Sequence, residues 1–351
     1  VFANFTESLD DKLYDQFHNL EKMTEMLGLA LREYNEINPV MPLVLFEDAM
    51  KHICKVCRII SAAQGHALMV GVGGSGKQSL SRLASFICQY SPTTIVISAS
   101  YNINDLKIDL QNMFRKCGEK DEGVMFQFTE GQIKEERFLV CINDLLSSGE
   151  ISDLFQQEDA DSIIGNVTPA AKGDGITPTP ANVWRYFIDR VKRNLHMALC
   201  FSPSEAFGSR ARKFPALINS TVIDWFHPWP QQALLSVATK FLEEVPMASD
   251  EEREAVISFM PFSFTTVTNF SDIVFKKERR HVYTTPKSFL ELITLFKTML
   301  TKKRTELEDN RDKYDRGVIK LKETGEQVAM LEEGLKITSV VVEEKKAKAN
   351  E

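Results

Sequence analysis

The sequence predicts an α/β fold, a parallel sheet with helices on both faces, followed by a smaller α-helical domain and a long C-terminal helix. Three observations carry that prediction. Short apolar or β-branched runs alternate with segments of helical period across the first two thirds of the chain. One such run, His66 to Val70, leads through a glycine-dense turn into a helix opening at Lys77, so that Gly71, Gly76 and Lys77 fit the spacing G-x-x-x-x-G-K. Finally, no proline occurs from Lys287 to Glu351, and apolar residues recur there every seven positions.

The turn His66-Ala-Leu-Met-Val-Gly71-Val-Gly73-Gly74-Ser75-Gly76-Lys77-Gln78-Ser79-Leu80 reads as a phosphate-binding loop. Its glycines allow positive φ, so successive N–H groups can point inward as an anion nest. The following helix aims its positive dipole end at the same point, and Lys77 adds a full charge. A plain glycine-rich β–α turn is the bland alternative. The strand, the spacing, the lysine and the helix together favour nucleotide binding. One position departs from the motif: the residue after Lys77 should be Ser or Thr, whose hydroxyl holds Mg²⁺, and here it is Gln78. Ser79 follows, but on a helix it points about 100° away. Phosphate binding tolerates that change better than metal-assisted hydrolysis does.

Composition sets the limits. With 351 residues, the chain can bury a large core and is expected to hold two packed domains plus an extension. A net charge of −7 gives no reason to expect nucleic acid or an anionic membrane as partner. No apolar run approaches the ~20 residues needed to span a bilayer. The first residue is Val, no leader-like segment follows, and the chain reads as a piece of a longer polypeptide. Of the cysteines, Cys54 and Cys57 form C-x-x-C on one apolar helical face. No second pair lies at zinc-ribbon distance, so core packing is expected over metal or redox use, in a reduced, intracellular protein.

Taken in order, Val1–Phe5 is a short apolar fragment, and Ser8 to Asn38 reads as helix, opening on the cap-like run Ser8-Leu-Asp-Asp-Lys and ending before Pro39. Leu43–Phe46 leads into a helix over Glu47–Ile60; a stretch in this position can wall an adenine pocket. After the loop helix, Thr93–Ser98 is expected as a central strand and Asn102–Cys117 as a helix. Gly123–Phe128 reads as a strand ending in Thr129-Glu130, and Ile133–Ser148 as a helix closed by Gly149. Leu195–Phe201 and Ser220–Phe226 are further strands. Gly165 to Pro180, rich in Gly, Pro and Thr, is expected as a loop or insert. Beyond Pro228 and Pro230 come helices over Gln231–Glu244, Asp250–Phe259 and Thr265–Lys277.

Thr285-Pro286 supplies an N-cap and a first-turn proline for the last helix, which would be about 100 Å long. Leu300, Leu307, Tyr314, Leu321, Val328, Leu335 and Val342 form one complete heptad stripe. The companion stripe is patchy: Val318 and Leu331 support it, whereas Arg311, Gly317, Thr324, Gly325 and Thr338 do not. From Thr301 onward there are 12 Lys/Arg and 12 Asp/Glu, which makes a mixed solvated surface rather than a basic tail. The stripe calls for a partner helix beyond Glu351 or on another molecule. A long helix lying across a globular surface is the alternative.

Together, Gly71-Val-Gly-Gly-Ser-Gly-Lys-Gln-Ser-Leu80, Thr285-Pro-Lys-Ser-Phe-Leu-Glu-Leu-Ile293 and Leu321-Lys-Glu-Thr-Gly-Glu-Gln-Val328 resemble dynein heavy chain, of the axonemal rather than the cytoplasmic type. The resemblance is to the fourth AAA+ module of the motor ring and the outgoing helix of the microtubule-binding stalk, and it runs from about Leu43 to Glu351. It implies an AAA+ P-loop NTPase fold with a five-stranded parallel sheet, a small helical lid domain and a C-terminal coiled-coil helix. The implied division is a connecting helix from the preceding module over 1–40, the large nucleotide-binding subdomain over 41–227, the small helical subdomain over 228–300 and the first stalk helix over 301–351.

Site residues carry over from the resemblance. Gly71, Gly73, Gly74, Ser75, Gly76, Lys77, Gln78 and Ser79 would cradle ATP or ADP. Glu130 matches the glutamate that polarises the attacking water, whereas Thr129 stands where an aspartate supports Mg²⁺. Leu139-Val-Cys-Ile-Asn143-Asp144 is a competing position for that acidic motif, disfavoured by its helical spacing. Ser202 matches the polar sensor after the fourth strand. Lys287 matches a lid arginine at the γ-phosphate, keeping the charge without the fork geometry. Arg210 and Arg212 match arginine-finger positions reaching a neighbouring module, or are ordinary surface arginines. No metal-ligating side chain is identified, and Mg²⁺ use is in doubt.

The expected role is a nucleotide site with slow or no hydrolysis in an ATP-driven ciliary or flagellar motor of the axonemal cytoskeleton. Its partners would be neighbouring AAA+ modules of the same heavy chain, the returning stalk helix, the microtubule through the distal stalk tip, and other dynein chains. A vestigial structural module and a standalone AAA+ remodelling ATPase are the alternatives.

Overall fold

The computed structural model describes residues 1–8, 14–280 and 282–349, the last three by backbone alone. It divides into two compact units, Val1–Leu290 and Glu291–Glu351.

The first unit opens with β1 (Phe2–Ala3), paired antiparallel with β2 (Asp15–Gln16), and α1 (Leu20–Ile37). The sequence-expected helix start at Ser8 falls largely on 9–13, outside the described residues. Among the described residues helix begins at Leu20, where Asn19 accepts the Glu21 N–H as its cap. Next come α2 (Glu47–Ile60), β3 (Ala67–Gly71), α3 (Lys77–Ile87), β4 (Ser91–Thr94) and α4 (Ile103–Gly118). The chain continues with β5 (Val124–Thr129), a 3-10 turn over Glu130–Gln132, α5 (Arg137–Ser148), α6 (Gln157–Gly173), α7 (Pro180–Asn194) and β6 (Leu195–Phe201). Then follow α8 (Glu205–Lys213), α9 (Ala216–Asn219), β7 (Val222–Phe226), α10 (Gln231–Leu242), α11 (Asp250–Glu278) and α12 (Pro286–Ala349).

Strands β4-β5-β6-β3-β7 form one five-stranded sheet, parallel throughout. This is the expected α/β class. Both faces are covered, so the central strands read as continuous apolar runs. Alternate residues feed two cores: Leu68, Val70, Phe126, Phe128, Leu199 and Phe201 face α4 to α7, whereas Met69, Met125, Ala198 and Cys200 face α1 to α3. All six cysteines are free and buried, and Cys54 and Cys57 pack in the second core. No helix among the described residues is long and apolar enough to cross a membrane.

Three expectations change. The strand expected at Thr93–Ser98 starts two residues earlier, at Ser91, ends four earlier, at Thr94, and lies at the sheet edge, not its centre; Pro92 is tolerated there because an edge strand needs fewer donors. The expected loop from Gly165 is helical as far as Gly173, with Pro169 inside α6, because Ile163, Val167 and Ala171 bury one face. The helices expected over Asp250–Phe259 and Thr265–Lys277 are one, α11, which runs through a buried Pro261.

In α12, Thr285 Oγ1 accepts the Ser288 N–H at 3.2 Å, the cap expected from the sequence. Within the second unit Leu307, Tyr314, Leu321, Val328, Leu335 and Val342 are all exposed.

Candidate nucleotide site

The site is built where β3 ends. Parallel pairing of β3 with β6 and β7 fixes that strand from both sides, so the loop from Val72 to Gly76 leaves from a rigid edge. Gly74 (φ 77°) and Gly76 (φ 91°) lie in the left-handed region, and Gly76 is the last residue before α3. Ser75 is buried and Gly73 is exposed. A β-carbon at Gly71 would stand 2.5 Å from Phe226 Cβ. One at Gly74 would stand 2.8 Å from the Lys287 amide N and 3.0 Å from its Cα, so Lys287 is brought to the loop by its backbone.

Lys77 is buried, and its Nζ donates to Gly71 O (2.6 Å), Val72 O (2.8 Å) and Ser75 Oγ (3.2 Å). Burial lowers its pKa from the ordinary lysine value, while the negative charge of Glu130 works the other way. Gln78 is exposed, and its backbone carbonyl accepts from Gln127 Nε2 at 2.9 Å. Gln127, buried on β5, also donates to Ser81 Oγ (2.7 Å) and accepts from Arg82 Nε (3.1 Å). It thereby ties the first turn of α3 to the sheet.

Glu130 opens the turn after β5. Its Oε2 accepts the Ser202 N–H at 3.0 Å and its Oε1 accepts from Arg210 Nη1 at 2.8 Å. Thr129 is held in a capping box with Gln132: its side chain accepts the Gln132 N–H, and its own N–H donates to Gln132 Oε1 at 2.8 Å. Asn143 and Asp144 lie on α5 rather than at a strand end, so the competing position for the acidic motif is not a strand motif. Arg212 lies exposed on α8.

A cavity of about 530 Å³, in the range of small-ligand sites, lies against the loop and the Glu130 turn. Gly73 to Leu80, Thr129, Glu130 and Ser202 line it together with the apolar Pro42, Leu43, Val44, Phe46, Trp229 and Phe241, whereas Gly71, Arg210, Arg212 and Lys287 are not among its lining residues. The stretch Leu43–Phe46 thus serves as a wall. Trp229, from the Pro228–Pro230 boundary, and Phe241, on α10, were not legible as site residues, because their approach depends on how α10 folds back. The donor set suits a polyphosphate carrying a flat apolar group. Among the described residues, no group of three or more His, Cys, Asp or Glu is arranged to hold a metal ion.

Residues 41–299 match the family described as P-loop containing dynein motor region D4. Over 351 residues the chain is 50% identical to the dynein alpha chain of the flagellar outer arm of Chlamydomonas reinhardtii. It is 44% identical to the ciliary dynein beta chain of Tripneustes gratilla and 44% identical to dynein axonemal heavy chain 17 of Mus musculus. Each of these alignments covers 100% of this chain and 8% of the relative.

Proposed function

The chain belongs to the dynein heavy-chain family, as its P-loop containing motor region D4, and on that premise we propose that it is a nucleotide-binding module of a microtubule-based motor that holds ATP or ADP and hydrolyses it slowly or not at all. The observation that carries the reading is the contrast between the two ends of the site. Toward the phosphates, Gly74 and Gly76 at positive φ and the buried Lys77 support an anion cradle. At the metal-supporting positions, Gln78 brings an amide where a hydroxyl is expected, and the Thr129 side chain accepts the Gln132 N–H of its own turn. Phosphoryl transfer draws most of its acceleration from placed metal and charge. In this reading Gly73 to Gln78 and Lys77 hold the phosphates, Leu43–Phe46 and Trp229 cover the base, and Ser202 and Lys287 sit at the far phosphate.

The module would work within a longer heavy chain, beside further AAA+ modules, in the axoneme of a cilium or flagellum, as the names of the relatives indicate for those proteins. The exposed stripe of α12 would pair with a returning helix, and through it ring state would reach a microtubule at the distal tip. A purely structural module is the second reading, favoured by Lys77 donating to the loop's own carbonyls.

Nucleotide occupancy of this pocket in the intact motor is the test. ATP retained near Lys77, with turnover unchanged by Glu130→Gln, supports the slow site. Multiple turnover abolished by Glu130→Gln sinks it, and a pocket without nucleotide at saturating ATP favours the structural module.

A further inference from the structure

Arg210 matches a finger position aimed at a neighbouring module, yet here it turns inward. It lies on α8, whose start is fixed by Ser204 accepting the Phe207 N–H at 3.3 Å. From there its guanidinium reaches Glu130 Oε1 at 2.8 Å, while the backbone N–H of Ser202, just past β6, takes Glu130 Oε2 at 3.0 Å. Both oxygens of one carboxylate are thus engaged by one stretch of chain, from Ser202 just past β6 to Arg210 on α8. The pair is largely shielded: Arg210 is 19% exposed and Glu130 25%. Lys213 adds a second tie from α8 to the same segment, at Glu136 (2.8 Å).

Hydrolysis of ATP would add a water oxygen to the terminal phosphorus and break the bond from that phosphorus to the bridging oxygen. The bridging oxygen leaves with ADP, and the water proton passes to a base or to the phosphate released. A glutamate serves that step only when a carboxylate oxygen faces the attacking water. In this protein the direction of the carboxylate is set by α8, and the guanidinium charge meets it head-on.

We propose that Arg210 is a positioning residue that restrains Glu130 from within the same module, so that bound nucleotide stays intact until the pair opens. This rests on the nucleotide-binding reading above. Any event that draws α8 or its arginine outward releases the glutamate, which makes the β6–α8 connection the control point of this site.

The test uses the intact heavy chain with ATP and a cycle of four proteins: wild type, Arg210→Ala, Glu130→Gln and the double variant. The Glu130-dependent turnover, the part removed by Glu130→Gln, should rise at least about threefold in the Arg210→Ala background and fall back with Arg210→Lys, which restores a charge. Nucleotide retained after desalting monitors the pocket separately, and Arg210→Gln repeats the measurement with a side chain of similar reach. Glu130-dependent turnover that is equal or lower in both Arg210 variants overturns the restraint, while leaving the nucleotide site in place. Retained nucleotide that is unchanged by Lys77→Ala overturns the nucleotide reading, and the restraint with it.

Discussion

Gly74 and Lys287 touch across 213 positions of sequence: a β-carbon on the glycine would overlap the backbone at which α12 begins. The phosphate loop and the first turn of that helix therefore share a boundary with no room for a methyl group. Gly74→Ala is expected to suffer twice, from its φ of 77° and from the Lys287 amide at 2.8 Å. The cost should be about 1–3 kcal/mol or more, read as a lowered Tm with weakened nucleotide retention. Gly73→Ala, where a β-carbon meets nothing within 4 Å of protein, is the control for stability and should change Tm little.

Lys77→Met keeps the stem and removes the charge. Nucleotide affinity should fall by about tenfold to a hundredfold, the loss of one charge-assisted contact to phosphate. Equilibrium binding of a fluorescent ATP analogue would measure it. Because Lys77 also ties the loop to Gly71 O and Val72 O, some fall in Tm should accompany it.

Gln127 satisfies the Gln78 carbonyl, Ser81 Oγ and Arg82 Nε together. Gln127→Met fills the same space but removes its bonds to all three; Ser81 Oγ still donates to the Gln78 carbonyl at 3.0 Å, while Arg82 Nε loses its partner on β5, for an expected loss of about 1–3 kcal/mol in denaturant unfolding. Nucleotide binding should weaken in parallel, since the start of α3 would no longer be anchored to β5.

His66 is buried at the start of β3 and accepts the Met197 N–H at 3.1 Å through Nδ1. Burial, with the nearby His196, pulls its pKa down to about 4. Above pH ~6.5 neither the folded nor the unfolded chain protonates it, and its contribution is fully present. Between pH ~6.5 and ~4 only the unfolded chain takes up the proton, so stability is lost by up to ~3 kcal/mol. His66→Asn, which keeps an acceptor without a titrating group, should flatten the fall of Tm between pH 6.5 and 4.5.

Much of this arrangement was legible in the sequence because it is local. Leu195–Phe201 and Glu47–Ile60 match their expected bounds, since an unbroken buried strand and a strongly amphipathic helix each leave one dominant pattern. The phosphate loop was legible because its chemistry requires neighbouring residues at fixed spacing. Errors arose where composition and packing disagree. Gly165 and Pro169 suggest a loop, but Ile163, Val167 and Ala171 supply enough buried surface to keep α6 helical. Thr93–Ser98 reads as a central strand by propensity alone, yet Val96 is 82% exposed beyond an edge strand. The Glu130–Arg210 pair spans 80 positions and depends on the angle of α8, which no local pattern encodes.

Every native thiol lies inside the fold, and burial pushes those of Cys54, Cys117 and Cys200 up to about 12. A maleimide or spin label should therefore find the folded surface silent, and a single cysteine engineered onto the exposed stripe of α12 would be labelled alone. Unfolding would uncover six sulfurs at once. The number of labels taken up thus becomes a clock for global opening, and it runs without any change to the native sequence.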